Sequence, residues 1–361
     1  MKKTATITFH NSVNYGAILQ TYALQQSILK LKIKNEIINY SPDSDRNLII
    51  NTKNLKTIIK SLIKLPDFYL KRKKFNNFIN RHIYITDRLN RKILNSKTFN
   101  NEYDIFISGS DQVWNHEILK DSTYFLDFVK DNSKKRSYAA SFGIEKIPFN
   151  LKIWYEKNLK DFHTILVREQ VGKFLIKEII NKDARVVLDP VFLLNKVEWD
   201  NILFNTKFEN MKNNYILIYY STPKIKKFAE FLSKKYNIPI FFISEIVLKK
   251  KYRVGKLERR LGPEEFISAI KNARFILTAS FHAVVFSIIY NKIFYIDYMS
   301  NGRESRLEQI LNLFDIKNRK INEQVENYKE DYIDWESINK KLEIERNKSI
   351  NELKKMLGVN D

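Results

Sequence analysis

Residues 4–40 read TATITFHNSVNYGAILQTYALQQSILKLKIKNEIINY, and this stretch decides the fold. Its first six residues predict a strand, and a loop follows up to Gly16. From 17 to 31 the apolar residues recur near the helical period, which predicts a helix. Residues 36–40 then predict a second strand. A strand, a helix and a strand in this order indicate an α/β fold with a parallel sheet.

The alternation of strands and helices continues, weakens near residue 200 and then starts again. In the first part, further strands are predicted at 103–108, 136–142, 164–167 and 185–188, and helices at 151–161 and 170–180. In the second part, strands are predicted at 215–220, 240–243, 275–277 and 293–296, and helices at 224–236, 263–271, 281–290 and 305–314. Because 361 residues exceed what one core usually supports, we predict two α/β domains.

The predicted domains are 1–200 and 201–330, followed by a C-terminal helix within 331–361. Two open α/β domains that face each other leave a cleft outside the carboxyl ends of their strands, where such sheets bind ligands. Candidate functional residues are therefore those that directly follow predicted strands.

The chain is strongly basic, with 63 Lys and Arg against 41 Asp and Glu and a net charge of +22. Residues 45–102 alone hold 14 Lys and Arg against 4 Asp and Glu. Such an excess attracts polyanions, anionic membranes or phosphorylated substrates. A basic amphipathic helix is predicted here, with Lys56, Lys60 and Lys64 on one face, which either lies on an anionic membrane or packs on the core.

The absence of cysteine excludes disulfides, thiolate nucleophiles and cysteine metal sites. The first residues lack the apolar stretch of a signal peptide, so we expect a cytoplasmic protein. The longest uncharged run lies between Arg274 and Lys292, and its polar residues indicate a buried strand, a turn and a buried helix. The five histidines show no metal-ligand spacing, so no metal is expected.

The segment Thr278–Ala283 is the first candidate site. Ser280 is a good N-cap after a buried strand, and His282 falls in the first helical turn. The free N–H groups and the dipole of such a turn attract anions, and an imidazole there can donate to a phosphate or supply a proton. The alternative is a capped buried helix whose histidine bonds to the backbone.

Four further segments follow predicted strands. Arg168 can hold a carboxylate or phosphate, or form a surface pair with Glu169. In Ser108–Asn115, small residues allow a close ligand approach, Asp111 is a candidate base and sugar contact, and Trp114 can stack on a sugar, unless the segment is an ordinary turn. The remaining candidates for ligand contact are Gly109, Ser110, Gln112, Asn14, Gly16, Arg303 and Arg306.

Taken in order, these segments resemble the polysaccharide pyruvyltransferase family. The resemblance covers about residues 4–315 and is carried by Asn14–Gln20, Gly109–Asn115, Ser137–Gly143, Arg168–Gln170, Leu188–Val191, Gly262–Phe266, Ser280–His282 and Ser305–Leu307. It implies a GT-B-like fold of two Rossmann-like domains facing a central cleft, with the acceptor on the first, the donor on the second and the C-terminal helix packing back on the first.

The resemblance also implies a reaction. Pyruvate would pass from phosphoenolpyruvate to hydroxyls of a saccharide in cell-surface polysaccharide biosynthesis, with no cofactor or metal. Arg168 and His282 would contact the donor. Members often place an Arg shortly before the histidine, whereas Phe281 stands there here, so another donor contact would come from Arg303, Arg306 or Lys292.

Two other functions compete with this reading. A GT-B nucleotide-sugar glycosyltransferase could use the same two-domain architecture. A basic protein that binds nucleic acid or a membrane surface would explain the charge, although no nucleic-acid module is recognisable. The expected partners are a saccharide or a lipid-linked glycan and, through the basic surface, the inner face of an anionic membrane. The sequence gives no basis for an oligomeric state.

Overall fold

The computed structural model describes residues 2–40, 55–203, 206–243, 254–299, 304–322, 328, 330 and 332–359, with side chains in the long helix after 54 described from residue 66. These residues form two units, one built on a seven-stranded sheet and one on a five-stranded sheet. The described strand pairs run parallel in both sheets. The predicted α/β fold with parallel sheets is confirmed.

The first unit comprises Met1–Pro66, Asn76–Leu193 and Glu345–Asp361. Its strands are β1 (Lys3–Ile7), β2 (Lys34–Asn39), β3 (Ile85–Arg88), β4 (Ile105–Ser108), β5 (Lys135–Ala140), β6 (Thr164–Val167) and β7 (Arg185–Val186). Its helices are α1 (Tyr15–Lys30), parts of α2 (Leu55–His82), α3 (Arg91–Leu94), α4 (Lys97–Glu102), α5 (Lys152–Leu159) and α6 (Gln170–Ile180). The strands lie in the order β3-β2-β1-β4-β5-β6-β7. The chain first adds strands on one side of β1 and then, from β4 onward, on the other side.

The second unit comprises Asp67–Phe75 and Leu194–Ile344. Its strands are β8 (Ile216–Tyr219), β9 (Ile240–Ile243), β10 (Lys256–Glu258), β11 (Phe275–Thr278) and β12 (Ile293–Ile296). Its helices are α7 (Lys196–Asp200), α8 (Pro223–Tyr236), α9 (Pro263–Asn272), α10 (Phe281–Ile289), α11 (Glu304–Leu313) and part of α12 (Trp335–Leu357). The strands lie in the order β10-β9-β8-β11-β12. The chain first adds strands on one side of β8 and then, from β11 onward, on the other side.

The end of α12 packs in the core of the first unit. Leu353 and Leu357 are fully buried in one cluster with Leu24 and Ile28 of α1. Burying an aliphatic side chain of this size stabilises a fold by about 1.5–3 kcal/mol. The hydroxyl of Ser349 also accepts the N–H of Leu188 at 3.0 Å, so α12 is hydrogen-bonded to the segment that follows β7 as well as packed in the core.

Two strands, β3 and β10, were missed by the sequence analysis. They are short, only partly buried, and lie at the edges of their sheets, where neither apolar run nor strict alternation is required. The uncharged run after Arg274 forms β11 and α10, as predicted. Within the described ranges, no helix combines the length and apolar character needed to span a bilayer. The side chains of Lys56, Lys60 and Lys64 lie outside the described residues.

Candidate functional site

The carboxyl ends of β1 and β4 form the switch point of the first sheet, where Rossmann-like sheets bind ligands. Gly109 directly follows β4 and donates its N–H to the carbonyl of Ile7 at 2.8 Å. A Cβ at Gly109 would lie 3.0 Å from Thr8 Cβ and 3.1 Å from Thr6 Cγ2. Thr6 and Thr8 therefore leave little room for a side chain at position 109, which explains the glycine. The contact of Gly109 with a ligand stays a prediction.

Asp111 has the strained backbone that marks many functional sites. Its φ is +75°, a region that residues with a Cβ rarely adopt. The conformation is held because its carbonyl accepts the N–H of Ser141 at 3.0 Å and its Oδ1 accepts the N–H of Gln112 at 2.8 Å. The carboxylate is partly exposed at the carboxyl edge of the sheet. A carboxylate in this position could accept a proton or a hydrogen bond from a hydroxyl, and its role as a base stays a prediction.

Gln112, Asn115 and Gly143 lock this loop together. The Asn115 amide donates to Gln112 Oε1 at 2.9 Å in a buried contact. Gly143 follows β5 with a φ of +63°, and a Cβ there would lie only 2.0 Å from Gln112 Oε1. Gln112, which was expected to contact a sugar, is only 7% exposed, and its side-chain oxygen accepts the hydrogen bond from Asn115. Its role in the structure is to fix the loop.

Arg168 lies at the end of β6, buried between two carboxylates. Its Nε donates to Glu169 Oε1 at 2.7 Å and its Nη1 to Asp189 Oδ2 at 2.9 Å. The buried Ser110 hydroxyl donates to the same Asp189 oxygen at 3.4 Å, and Ser141 Oγ donates to Glu169 at 2.9 Å. The surface pair considered for Arg168 and Glu169 is wrong, because the Arg168 side chain is only 2% exposed.

The carboxylates decide the charge state of Arg168. Burial by itself lowers the pKa of this guanidinium, but Glu169, Asp189 and Asp111 outweigh burial and raise the pKa above its usual value. Arg168 and Asp111 therefore belong to one electrostatic cluster at the carboxyl edge of the first sheet. The sequence analysis used Asp189 only as part of the family motif Leu188–Val191 and assigned it no site role, although it directly follows the strand predicted at 185–188. Whether Arg168 also contacts a donor stays a prediction.

The position of Trp114 differs from the prediction. Its indole is fully buried in the hydrophobic core, where it stacks on Phe125 at 5.5 Å with an interplanar angle of 14°. The ring nitrogen donates to the Tyr124 carbonyl at 3.4 Å. The prediction that Trp114 stacks on a sugar is wrong, because apolar packing in the core is worth more to this large side chain than exposure at a loop.

Asn14 is the N-cap of α1. Its Oδ1 accepts the N–H of Ala17 at 3.0 Å, which satisfies one of the unpaired donors of the first turn. Gly16 lies buried in that turn. The structure thus assigns Asn14 to helix initiation, and the predicted contacts of Asn14 and Gly16 with a substrate stay predictions.

In the second unit, His282 lies partly exposed, with its Nε2 buried, in the first turn of α10 after β11. Ser280 is the N-cap, as predicted, with its Oγ accepting the N–H of Ala283 at 3.5 Å. The Ser280 N–H in turn donates to Thr278 Oγ1 at 3.0 Å. The imidazole therefore stands at the carboxyl edge of the sheet beside a helix N-terminus, where an anion is favoured.

Two polar residues at the same edge were missed. Thr222 caps α8 after β8, and Asp297 directly follows β12. Their side chains form a short hydrogen bond, in which the Thr222 hydroxyl donates to Asp297 Oδ2. Both residues follow apolar strands, which is the signal that could have found them. This bond ties the strands on either side of β11 together at the switch point of the second sheet.

Lys292 lies at the wrong end of the second sheet for a role beside His282. It directly precedes β12, whereas His282 comes after β11, and these two strands are parallel with Phe275 opposite Ile293. The Lys292 amine donates to Asn213 Oδ1 at 2.8 Å, just before β8 begins. Its proposed contact with the donor is therefore wrong. Arg306 lies half-buried in the first turn of α11, and Arg303 lies outside the described residues.

Replacing Lys292 by Gln should stabilise the protein near neutral pH. Burial, then repulsion from Lys212 and Lys196, lowers the pKa of Lys292 from 10.5 to about 8. Between these two values the unfolded state binds more protons, so wild-type stability rises with pH. After a discount for exposure, we expect Lys292→Gln to gain about 1 kcal/mol at neutral pH and to lose that gain at alkaline pH.

Urea unfolding at both pH values measures this difference, with Lys146→Gln on an exposed lysine as the control. A gain that did not change with pH would contradict the assigned titration.

Among the residues that the structure describes, no group of three or more His, Asp or Glu side chains is arranged to share a metal ion. The two carboxyl edges instead offer different chemistry. The first presents a carboxylate backed by a buried guanidinium cluster, and the second presents an imidazole at a helix N-terminus.

The sequence comparison identifies the family. A model of the family described as polysaccharide pyruvyl transferase matches residues 14–296, which is most of the chain. The chain belongs to the polysaccharide pyruvyl transferase family. Asp111, Arg168 and His282 all lie inside the matched range. Among curated proteins, no sequence matches this family member.

Solved structures resemble this family member over nearly their whole length. MnaA from S. aureus, solved with UDP, is 12% identical, covers 100% of this chain and 98% of its own, and has a TM-score of 0.52. A glycosyltransferase from Rickettsia africae ESF-5 is 13% identical, covers 99% and 98%, and has a TM-score of 0.51. At these identities the likeness concerns the fold alone. It confirms the predicted GT-B-like class of two Rossmann-like domains.

Proposed function

We propose that this transferase moves pyruvate from phosphoenolpyruvate to two hydroxyls of a saccharide and forms a cyclic ketal. The observation that carries the proposal is the family match over residues 14–296. The setting of His282 supports it, because an imidazole beside a helix N-terminus suits a small, densely anionic donor. The saccharide belongs to a cell-surface polysaccharide, built at the cytoplasmic face of the membrane.

The reaction needs an acid near the donor. A proton is added to C3 of the enol, and positive charge develops at C2. The first sugar hydroxyl then forms a C–O bond to C2 and gives its proton to a base. The bond from C2 to the phosphate oxygen breaks, phosphate leaves, and positive charge develops at C2 again. The second hydroxyl attacks C2, its proton is lost, and the ring closes. Of the two hydroxyl protons lost in the whole reaction, one replaces the proton added to C3 and the other leaves on phosphate. His282 is assigned as the proton donor or as a ligand of the leaving phosphate.

The reaction also needs a base for the sugar hydroxyls. Asp111 is assigned to this step because its carboxylate is partly exposed and its backbone is held in a strained conformation. One of its oxygens accepts the Gln112 N–H, which leaves the other to orient a hydroxyl. Arg168 supports this edge by its charge, and Arg306 remains a candidate ligand of the donor.

The test is release of inorganic phosphate from phosphoenolpyruvate in the presence of a diol-containing glycan, with the ketal product identified by mass spectrometry and NMR. Phosphate release that depends on the glycan would support the proposal. Glycosyl transfer from a nucleotide sugar, with no turnover of phosphoenolpyruvate, would instead establish the competing GT-B glycosyltransferase function.

His282→Ala should lower the turnover number by about 10²–10⁴, the usual contribution of a positioned proton donor. The melting temperature should stay close to that of the wild type, because His282 is partly exposed and the Ser280 cap is retained. His163→Ala is the matched control, since His163 is exposed and lies before β6, at the opposite edge of its sheet. Equal activity of both variants would remove His282 from the mechanism.

A further inference from the structure

Helices α5 and α6 carry a cluster of exposed apolar side chains on the outside of the first unit. Phe149, in the turn before α5, is 89% exposed, Ile153 in α5 is 80% exposed, and Phe174 in α6 is 68% exposed. We call these three residues the α5–α6 patch. Single exposed apolar residues are common, but several large ones on adjacent helices mark an interaction surface.

The two helices lie side by side, which brings the three residues to one surface. Lys152 of α5 and Glu178 of α6 form an ion pair of 2.6 Å across the outer side. Phe149 precedes Lys152 by three residues in the turn that leads into α5, and Phe174 precedes Glu178 by four in α6, so each stands about one turn from its member of this pair. The inner sides of the helices are filled by other residues, among them the buried Tyr155 and Leu175.

Lysines surround the α5–α6 patch. Ile153 and Lys157 share a face of α5, and Phe174 lies between Lys173 and Lys177 in α6, with these three lysines exposed. Lys146 is exposed just before the patch. Of the nearby acidic groups, Asp183 pairs with Lys177 and Glu178 with Lys152, which leaves Glu145 and Glu156 against Lys146, Lys157 and Lys173. The surface is thus apolar in its centre with a small positive excess at its rim, in a chain with a net charge of +22.

We propose that the α5–α6 patch binds an anionic lipid bilayer. Phe and Ile side chains can enter the acyl boundary while lysines reach the headgroups, and anionic lipids add about 1 kcal/mol per lysine near the surface, which is about a fivefold gain in partitioning. A second copy of the chain fits less well. A two-fold contact would press the same lysines against each other in a protein that already carries excess positive charge.

The place of the patch is consistent with the proposed function. Helix α6 starts at the carboxyl edge of the first sheet, directly after Arg168 and Glu169, and Phe174 lies in its second turn, whereas the start of α5 lies beside the later part of α6, where Lys152 meets Glu178. Phe174 is therefore at the same end of this unit as Asp111 and Arg168. A bilayer held there would bring a lipid-linked acceptor to the edge where the sugar is expected. The delivery of a lipid-linked acceptor rests on the proposed function, whereas the binding of the patch to a bilayer does not.

The experiment is flotation of the full-length protein with vesicles of phosphatidylcholine, with and without phosphatidylglycerol, in the absence of donor and acceptor. Wild type should bind the anionic vesicles and be released by salt. The variant Phe149→Ser/Ile153→Ser/Phe174→Ser should lose on the order of tenfold in partition coefficient. Lys157→Gln/Lys173→Gln should lose about fivefold per lysine on anionic vesicles only.

Two controls keep the proposal falsifiable. Val197→Ser/Tyr332→Ser removes exposed apolar side chains from the second unit and should bind vesicles like the wild type. Lys56→Gln/Lys60→Gln/Lys64→Gln tests the basic segment singled out in the sequence. The proposal is overturned if the patch variants float like the wild type, if only the latter variant loses binding, or if ultracentrifugation shows a dimer that the patch variant breaks. Because no turnover is measured, failure here leaves the proposed reaction untouched.

Discussion

Replacing Arg168 by Met should destabilise the first unit by about 3–5 kcal/mol, because two buried carboxylates would lose their shared cation. The Asp189 side chain is fully buried and the Glu169 side chain only 9% exposed, so neither can recover its hydration. The loss should appear as faster hydrogen exchange in peptides that cover β6 and β7, and as a lower urea midpoint.

The compensated variant Arg168→Met/Glu169→Gln/Asp189→Asn separates stability from function. It removes the charges together, so most of the stability should return. If Arg168 also contacts the donor, phosphate release should remain lost in this stable protein. Recovered turnover would assign Arg168 a structural role alone, and a triple variant as unstable as the single one would contradict the buried cluster.

Replacing Gly143 by Ala should cost about 2–5 kcal/mol in the first unit. An alanine at φ +63° is strained by about 1–2 kcal/mol, and its Cβ would lie 2.0 Å from Gln112 Oε1, which breaks the buried Gln112–Asn115 bond. Because the same loop holds Asp111, turnover should fall together with stability. Urea unfolding and phosphate release measure the two effects.

Gly358→Ala is the matched control for this prediction. Gly358 has the same φ of +63°, but the nearest atom to its added Cβ is the flexible Lys2 Nζ at 3.0 Å, so only the backbone strain applies. Its cost should stay near 1 kcal/mol. Gln112→Ala placed in the Gly143→Ala background should recover part of the loss, because it removes the colliding amide. An equal cost at both glycines would rule out the collision.

The sequence was sufficient for the elements with strong local patterns. Strand β9 and helix α6 were predicted with the bounds that the structure gives, because each has a clear local pattern of apolar residues, and the predicted C-terminal helix within 331–361 is α12. The Ser280 cap and the position of His282 also followed from residue order, since a cap acts within four residues of itself. The ordered motifs also predicted the family, and the family match over residues 14–296 confirms it.

The sequence could not tell which polar residues at strand ends face outward. Trp114 and Arg168 come after strands like His282 does, yet the first is fully buried and the second is nearly so. Their surroundings come from distant segments: Phe125 supplies the stacking partner of Trp114, and Asp189 the second carboxylate for Arg168. Local sequence patterns do not indicate which distant residues will make such contacts.

What the residue order determined is therefore the succession of parallel strands, the helix starts and the family. Tertiary structure decided the rest: which end of the sheet Lys292 occupies, and which side chains are consumed by burial. The physical reason is one of range. Backbone periodicity and capping act over a few neighbouring residues, whereas burial and buried ion pairs depend on which strands lie next to each other in the sheet.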